Sequence, residues 1–273
     1  MQLSTGMANL AQDSGLQFEV FQTLDAGKID EAMRVIIYYR PEMDVAPLAS
    51  AHPMTQFVAM TDMDLQPTAN LTVLNSSSDS VLFAGGYLSM LIATDWRVVG
   101  LIPTDTNLGT GAAWAFFNGG GYFCGRCSPL SPPYAQFPLL INLPAASNAT
   151  DWELGYQAIE SNRFNVAFVD GLISNPEVYI RLAERGLVLL GSGMPPAAVE
   201  NIWAATVQQD MLGTIETIWP DLIIGKAAGK HNMMVTLTNV NSALLGDGKI
   251  QLFNEMADEL FQGLISTSYQ PTN

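Results

Sequence analysis

The sequence predicts an α/β protein built from two Rossmann-like lobes that are joined by a hinge. Three observations support this prediction. Hydrophobic residues make up 48% of the 273 residues, enough for the cores of one large domain or two modest ones. Short apolar runs typical of strands alternate with amphipathic stretches typical of helices, which is the pattern of βαβ units and parallel sheets. The alternation falls into two successive series, which predicts two sheets with a ligand cleft between the lobes.

The first lobe is predicted from residues 1–95 plus residues 206–232, and its series opens on a helix that stops at Gly15. Apolar residues at helical spacing, such as Ile29, Met33 and Ile36, predict a second helix. The full series is expected as a helix at 3–14, a strand at 18–21, a helix at 25–39, a strand at 44–49, a helix at 53–60, a strand at 70–74 and a helix at 81–93.

The second lobe is predicted from residues 96–205 plus residues 233–273. The chain is expected to cross between the lobes near Asp95, Thr206 and Asn232, so a helix at 211–227 belongs to the first lobe. Strands are expected at 97–102, 139–143, 165–169, 187–190, 203–207 and 233–237. The remaining helices are expected at 111–122, 152–161, 176–185 and 249–264.

The charge balance excludes some classes of partner. The formal net charge is −15, from 26 acidic and 11 basic residues. Binding to phosphate backbones or to an anionic membrane needs clustered Lys and Arg, so nucleic acid is not an expected partner. No run reaches the roughly 18 apolar residues of a membrane helix, and the opening residues lack the basic region of a signal peptide.

Polar residues follow the predicted strands of the second lobe, where open α/β sheets bind their ligands. Asp170 ends a fully apolar strand and is the preferred ligand contact, although a carboxylate there can also cap a helix or stay solvated. Trp152 and Trp114 can offer a flat face to a ring, and core packing is the alternative for both. The expected ligand-binding residues are Asp105, Asn107, Trp114, Trp152, Asp170 and Asn175.

The motif Cys124-Gly125-Arg126-Cys127 allows several interpretations. A structural disulfide between Cys124 and Cys127 is favoured, and it fits an oxidising compartment. A redox motif, half of a zinc site and two reduced thiols are the alternatives. Zinc needs four ligands, and the chain adds only two distant histidines, His52 and His231.

Signs of catalysis are weak. The run 191–193 is too short for the Gly-x-Ser-x-Gly turn of a hydrolase. The glycines at 119–121 follow a helix instead of opening one, so they do not form a phosphate loop. We therefore expect no cofactor, no metal and no enzymatic activity.

A longer stretch of the chain resembles a known family. The order and spacing of several segments are similar to those of the basic membrane protein (BMP) family, the substrate-binding lipoproteins of ABC importers, which include purine-nucleoside receptors. The segments are Phe83-Ala84-Gly85-Gly86-Tyr87-Leu88, Trp96-Arg97-Val98-Val99-Gly100-Leu101-Ile102, Trp114-Ala115-Phe116-Phe117-Asn118-Gly119, Asp151-Trp152-Glu153-Leu154-Gly155, Asn165-Val166-Ala167-Phe168-Val169-Asp170-Gly171 and Asp247-Gly248-Lys249.

The resemblance implies a type I periplasmic-binding-protein fold, with the first strand of the first lobe missing from this sequence. It also implies a function: extracytoplasmic capture of a small polar, nucleoside-like solute for an ABC transporter permease. The protein would then be periplasmic or lipid-anchored at the cell membrane. A ligand-sensing regulatory domain and an α/β enzyme of unknown reaction are the alternatives, because a shared fold does not fix function.

Overall fold

Two separate sheets, one of four strands and one of six, organise the chain. The structure is a computed structural model, and it describes residues 2–24, 26–30, 32–227 and 229–267. No helix in those ranges is long and apolar enough to cross a membrane. The helices are α1 (Gln2–Asp13), α2 (Ala46–Ala51), α3 (Asp79–Ile92), α4 (Thr110–Cys124), α5 (Ala149–Ile159), α6 (Pro176–Glu184), α7 (Met211–Ile223) and α8 (Asp247–Phe261). The strands are β1 (Val35–Tyr39), β2 (Gln56–Thr61), β3 (Leu71–Asn75), β4 (Val98–Leu101), β5 (Leu139–Ile141), β6 (Val166–Val169), β7 (Val188–Gly191), β8 (Trp203–Asp210), β9 (Lys230–Asn232) and β10 (Met234–Thr238).

The four-stranded sheet has the order β1-β2-β3-β9, and each neighbouring pair is parallel. Side chains alternate between faces along a strand, so β2 supplies apolar groups to both sides of the sheet. Phe57 and Ala59 pack in a cluster with Leu48 of α2. Val58 and Met60 pack in another cluster with residues of α1 and α7. The sheet therefore has a core on each face.

Two elements expected to be helices are strands of this sheet. Residues 25–39 end in β1 instead of continuing as a helix, and Asp25 itself lies outside the described residues. The run Val35–Tyr39 is β-branched and aromatic, and its parallel register with β2 outweighs the helical spacing of the apolar residues. Residues 53–60 contain β2, in which all six residues are buried. A strand covered on both faces reads as a continuous apolar run, which periodicity does not distinguish from a helix.

Two elements expected to be strands are also wrong. Residues 44–49 contain the start of α2, which carries Pro47 in its first turn, where a missing N–H costs no helical hydrogen bond. Asp44 Oδ1 accepts a hydrogen bond from the Ala46 N–H at 2.9 Å and so supports this helix start. Residues 18–21 form no strand, and Val20 is 72% exposed.

The six-stranded sheet has the order β10-β8-β7-β6-β4-β5, and the pairings from β8 through β5 are parallel. The expected α/β class with two sheets of mostly parallel strands is confirmed. Phe168 of β6 packs on Phe116 of α4, with 4.9 Å between ring centroids. Leu101 of β4 belongs to the same core cluster as Trp152 of α5 and Val178 of α6, and the three residues line one small cavity. Phe168 pairs with Gly100 and Leu101 with Val169, so Phe168 and Leu101 point to opposite faces of the sheet. Helices therefore cover both faces of the central strands.

The chain separates into two compact units by its internal contacts. One unit contains Met1–Ser77, Gln209–Met234 and Phe261–Gly263, and the other contains Ser78–Gln208, Val235–Leu260 and Leu264–Asn273. The sequence predicts that residues 1–95 belong to the first lobe. Helix α3 instead belongs to the second unit, because it packs on α4 and on β6.

Helices α3 and α4 pack against each other more extensively than any other pair of helices described in the second unit. Gly86 of α3 lies against the Phe116 carbonyl of α4, and Gly119 of α4 lies against the Phe83 carbonyl of α3. A Cβ atom at either glycine would overlap the facing backbone. The two glycines therefore set the approach of the helices, and both lie in segments that carry the family resemblance.

Arg97 anchors the proline-rich loop that follows α4. It is 5% exposed, and its guanidinium donates to the carbonyl oxygens of Asn162 at 2.6 Å and Ser131 at 2.7 Å. It also forms an ion pair with Asp95 at 3.0 Å, and it lies 6.0 Å from the ring centre of Phe137. The sequence did not predict this role, because the carbonyl groups that Arg97 binds come from segments distant in the chain.

Candidate functional site

The ends of β4, β5, β6 and β7 bring four polar loops to one edge of the six-stranded sheet, because parallel strands share their carboxyl edge. Hydrogen bonds join these loops in pairs. The Ala145 N–H donates to Asp105 Oδ1 at 2.7 Å, and the Gly171 N–H donates to Ser192 Oγ at 2.7 Å. We call this region the carboxyl edge and define it by residues 103–109, 142–148, 170–175 and 192–194.

Asp170 is the most enclosed charged group of the carboxyl edge. It lies directly after β6 and is 7% exposed. Its Oδ1 accepts a hydrogen bond from the Leu172 N–H at 2.9 Å. Burial raises the pKa of Asp170, and the hydrogen bond from Leu172 lowers it by a smaller amount. Within the described residues Asp170 forms no ion pair, so no cation there compensates for the desolvation of its ionised form.

Tyr179 of α6 supports the loop that carries Asp170. Its hydroxyl donates to the Ile173 carbonyl at 2.8 Å, inside the core of the second unit. Burial, with a further contribution from the charge of Asp170, raises the pKa of Tyr179 to about 12. The phenol therefore stays neutral around neutral pH and keeps donating this hydrogen bond.

A close backbone approach and two hydrogen bonds hold the loop after β7 in place. A Cβ atom on Gly171 would lie 2.8 Å from the Gly193 nitrogen, so the two loops pass in direct backbone contact. Thr206 Oγ1 donates to the Gly193 carbonyl at 3.2 Å and accepts from the Asn239 amide at 3.1 Å. The exposed Asn239 has a left-handed φ of 48°, a conformation that Asn tolerates better than most residues. The sequence did not single out Ser192, Thr206 or Asn239, because only the register of the strands brings them together.

The other expected polar residues of the site have mixed roles. Asp105 is exposed, with one carboxylate oxygen engaged by Ala145, and Asn107 is exposed on the same loop. Asn175 caps α6: its Oδ1 accepts a hydrogen bond from the Glu177 N–H at 3.0 Å. Asn175 therefore lies at the carboxyl edge, and its side-chain oxygen is engaged in capping α6.

Trp152 does not present a face for stacking. It is 1% exposed and belongs to the main core cluster of the second unit. It packs beside Tyr156 and Val178, between helices α5 and α6. The expectation that Trp152 supplies a flat ligand-binding surface is wrong in this structure, because its amphipathic helix turns the indole towards the sheet. Core packing, the alternative drawn from the sequence, describes it.

Trp114 lies in a different place and is 41% exposed. Its ring meets that of Phe117 edge to face, with 6.0 Å between centroids. Both rings line a groove of about 440 Å³ that begins at the loop after β4 and continues along α4 and β5. We call this the Trp114 groove. Its lining includes Thr104, Gln136, Leu139 and Asn142 but not Asp170, so the structure separates the expected site residues into two groups.

The cysteine pair lies at the end of α4. The Cα atoms of Cys124 and Cys127 are 5.4 Å apart, within the range of disulfides, and the two sulfur atoms are adjacent. Cys127 is buried, and its carbonyl accepts a hydrogen bond from the Phe137 N–H at 2.9 Å. Across the described ranges, no group of three or more His, Cys, Asp or Glu residues is suited to hold a metal ion.

Comparisons with known proteins place this fold in a class. The structure is similar to an ABC transporter solute-binding protein from Conexibacter woesei, with a TM-score of 0.60 and 12% identity, over 97% of this chain and 93% of that one. A solute-binding protein of an ABC transporter system from Aeropyrum pernix gives a TM-score of 0.55 and 10% identity, over 97% and 88% of the two chains. A transcriptional activator of the comK gene from Bacillus halodurans gives 0.59 and 13%, over 95% and 93%. The chain therefore has the fold of the periplasmic-binding-protein class.

The comparisons do not extend to a particular family. No family model matches the chain, and no curated protein matches its sequence. The BMP resemblance thus remains a resemblance in the order and spacing of segments, while the fold that it implied is present.

Proposed function

We propose that this protein is the solute-binding component of an ABC-type importer and that it binds a small polar molecule at the carboxyl edge of its second unit. The observation that carries the proposal is Asp170, a carboxylate that is 7% exposed and forms no ion pair within the part of the chain that the structure describes. A buried charge without a partner costs stability, so its position at the ligand-binding edge of this fold favours a role in binding.

The chemistry of the edge indicates the kind of ligand. The Asp170 carboxylate accepts hydrogen bonds, so it suits a ligand that presents hydroxyl or amine donors. Asp105 adds a second carboxylate, and the amides of Asn107 and Asn239 can donate and accept. The proposed ligand is therefore a small molecule rich in hydroxyl or amine groups, and nucleosides are one class within this description. The proposed role involves no catalysis.

The proposed location is extracytoplasmic, with an ABC permease as the partner protein. Two of the similar structures are those of ABC transporter solute-binding proteins. The geometry of Cys124 and Cys127 is compatible with a disulfide, which persists in oxidising compartments. We include this disulfide in the proposal, and the BMP family remains the proposed affiliation.

A ligand-sensing regulator is the second candidate, since the comK activator shares the fold. A regulator acts inside the cell, so the two roles differ in compartment. Two measurements distinguish these roles: fractionation of cells that express the natural gene, and alkylation of the native protein. An importer component is expected outside the cytoplasmic membrane with both thiols protected from alkylation. Recovery in the cytoplasm with two reactive thiols would favour the regulator.

Replacing Asp170 by Ala is expected to weaken ligand binding at least about tenfold, because a buried hydrogen bond to a charged group is lost without replacement. Native mass spectrometry of gently purified protein identifies the bound solute, and calorimetry with that solute then compares the variants. Asp258→Ala, which removes an exposed carboxylate from α8, is the matched control. Equal affinity of wild type and Asp170→Ala for the solute would rule out this site.

Replacing Asp170 by Asn is expected to stabilise the ligand-free protein at pH 7, by on the order of 1 kcal/mol, because Asn keeps the acceptor for Leu172 and removes a buried charge. Burial raises the pKa of Asp170 above its ordinary value of 3.8. The folded wild type therefore binds protons more tightly than the unfolded chain. Its free energy of unfolding falls as the pH rises from the ordinary pKa through the raised one.

The stability difference between Asp170→Asn and wild type should accordingly be small near pH 4, grow with pH and then level off. Tyr179, whose pKa is about 12, stays neutral across this range and does not contribute. Calorimetric melting at several pH values measures the effect. A wild type that is more stable than the variant at pH 7 would show that the carboxylate serves the fold.

A further inference from the structure

The Trp114 groove has the size of a small-molecule site. Its volume of about 440 Å³ falls within the range of ligand pockets in proteins, about 300–1,000 Å³. Helix α4 contributes one wall, through Trp114 and Phe117, and strand β5 contributes another, through Leu139 and Leu140. β5 is an edge strand of its sheet, and no further strand among the described residues covers this side.

The lining carries no charge. No Asp, Glu, Lys or Arg is among the described residues that form it, in a chain whose net charge is −15. Its polar groups are the threonines 104 and 110 and the amides of Gln136 and Asn142, which are exposed. Each amide can both donate and accept hydrogen bonds. An ionic ligand would lose water here without gaining a counter-charge, whereas an uncharged ligand would not.

The groove is separate from the Asp170 carboxylate. The groove follows β5, whereas Asp170 follows β6, and β4 lies between these two strands. Neighbouring strands are about 4.8 Å apart, so the strands that carry the two features are about 10 Å apart. A small molecule in the groove therefore makes its contacts with a set of side chains that does not include Asp170.

We propose that the Trp114 groove is a second binding site, which takes an uncharged, planar, ring-bearing molecule with amide-like hydrogen-bonding groups. The ring packs against the exposed indole of Trp114, in the offset or edge-to-face geometry that aromatic pairs prefer. The amide-like group exchanges hydrogen bonds with Gln136 and Asn142. The groove shares Thr104 and Asn142 with the carboxyl edge, but its lining does not include Asp170, so this site goes beyond the solute site proposed at Asp170.

Benzamide is the probe, with benzylamine and benzoate as charged probes that have the same ring. The indole Nε1–H signal of Trp114, assigned by its loss in Trp114→Phe, reports binding in ¹⁵N-correlated spectra. Benzamide is expected to shift this signal and the side-chain amide signals of Gln136 and Asn142, with a Kd on the order of 1 mM. Benzylamine and benzoate are expected to bind at least about tenfold more weakly.

Trp114→Ala is expected to weaken benzamide binding about tenfold, followed through the amide signals of Gln136 and Asn142. Tyr134→Ala is the matched control, since Tyr134 is 70% exposed on the loop after α4 and does not line the groove. Unchanged melting of both variants shows that they fold. The proposal is overturned if about 10 mM benzamide leaves the Trp114 signal in place. The proposal would also be overturned if benzylamine and benzoate bound as tightly as benzamide. It would be overturned as well if Trp114→Ala bound benzamide as tightly as the wild type does.

Discussion

Gly119→Ala is expected to destabilise the protein by about 3 kcal/mol or more, the largest effect that we expect from adding one methyl group. The added Cβ would overlap the Phe83 carbonyl of the facing helix α3. Backbone cannot move aside as a flexible side chain can, so the helices must separate. Their separation would disturb the contacts of Phe116 with Phe168 at the centre of the six-stranded sheet. Urea unfolding measures the loss.

Gly121→Ala is the matched control for this prediction. Gly121 lies on the same helix, two residues away, and a Cβ atom there meets no atom within 4 Å. Ala has the higher helix propensity, so this variant should be neutral or more stable by up to about 1 kcal/mol. Similar stabilities of Gly119→Ala and Gly121→Ala would show that α3 and α4 do not approach as closely as described.

Arg97→Met is expected to destabilise the protein by about 3 kcal/mol, because the carbonyl groups that the buried guanidinium binds are left without a donor and the partly exposed Asp95 loses its cation. Met has a side chain of similar length, so the apolar part of the packing is largely kept. The carbonyl groups of Asn162 and Ser131 lose a charged donor, and Asp95 loses its cation. Urea unfolding again gives the magnitude.

Hydrogen exchange of the loop at 128–138 gives a second measurement for Arg97→Met. The Leu130 N–H donates to Asp95 Oδ1 at 3.1 Å, so loss of the Arg97–Asp95 pair should raise exchange at Leu130. Arg126→Met, at an exposed position of the same region, is the control and should change neither measurement. Wild-type stability and exchange in Arg97→Met would contradict the anchoring role.

The helices and strands of the second unit could be predicted from the sequence more accurately than those of the first. From β4 to α8 the expected helices and strands are present, with small shifts at their ends and with β9 as a strand that was not expected. Four elements before residue 70 were predicted wrongly. The reason is physical: β1 and β2 are short and apolar, and their conformation depends on pairing with strands elsewhere in the chain.

The sequence could predict the parts of the candidate site that depend only on where a residue lies along a strand. Asp170 follows an apolar strand, and the register of β6 places it at the carboxyl edge of the sheet, while its role in ligand binding stays a prediction. Trp152 and Trp114 were both considered as stacking surfaces from their place in the sequence, but one is in the core and the other lines a groove. Which side of a helix meets the sheet depends on how the helix packs, and the spacing of aromatic residues did not reveal it.

The sequence by itself determined the α/β class, the two series of elements and the polar strand ends of the second unit. These features are local, because they follow from apolar runs, helix periodicity and the residues after each strand. Only the tertiary structure decided that α3 belongs with the second unit, that Arg97 holds the proline-rich loop and that Ser192 contacts Gly171. Those contacts join residues that are distant in the chain, and their energies arise only after the strands have paired and the helices have packed.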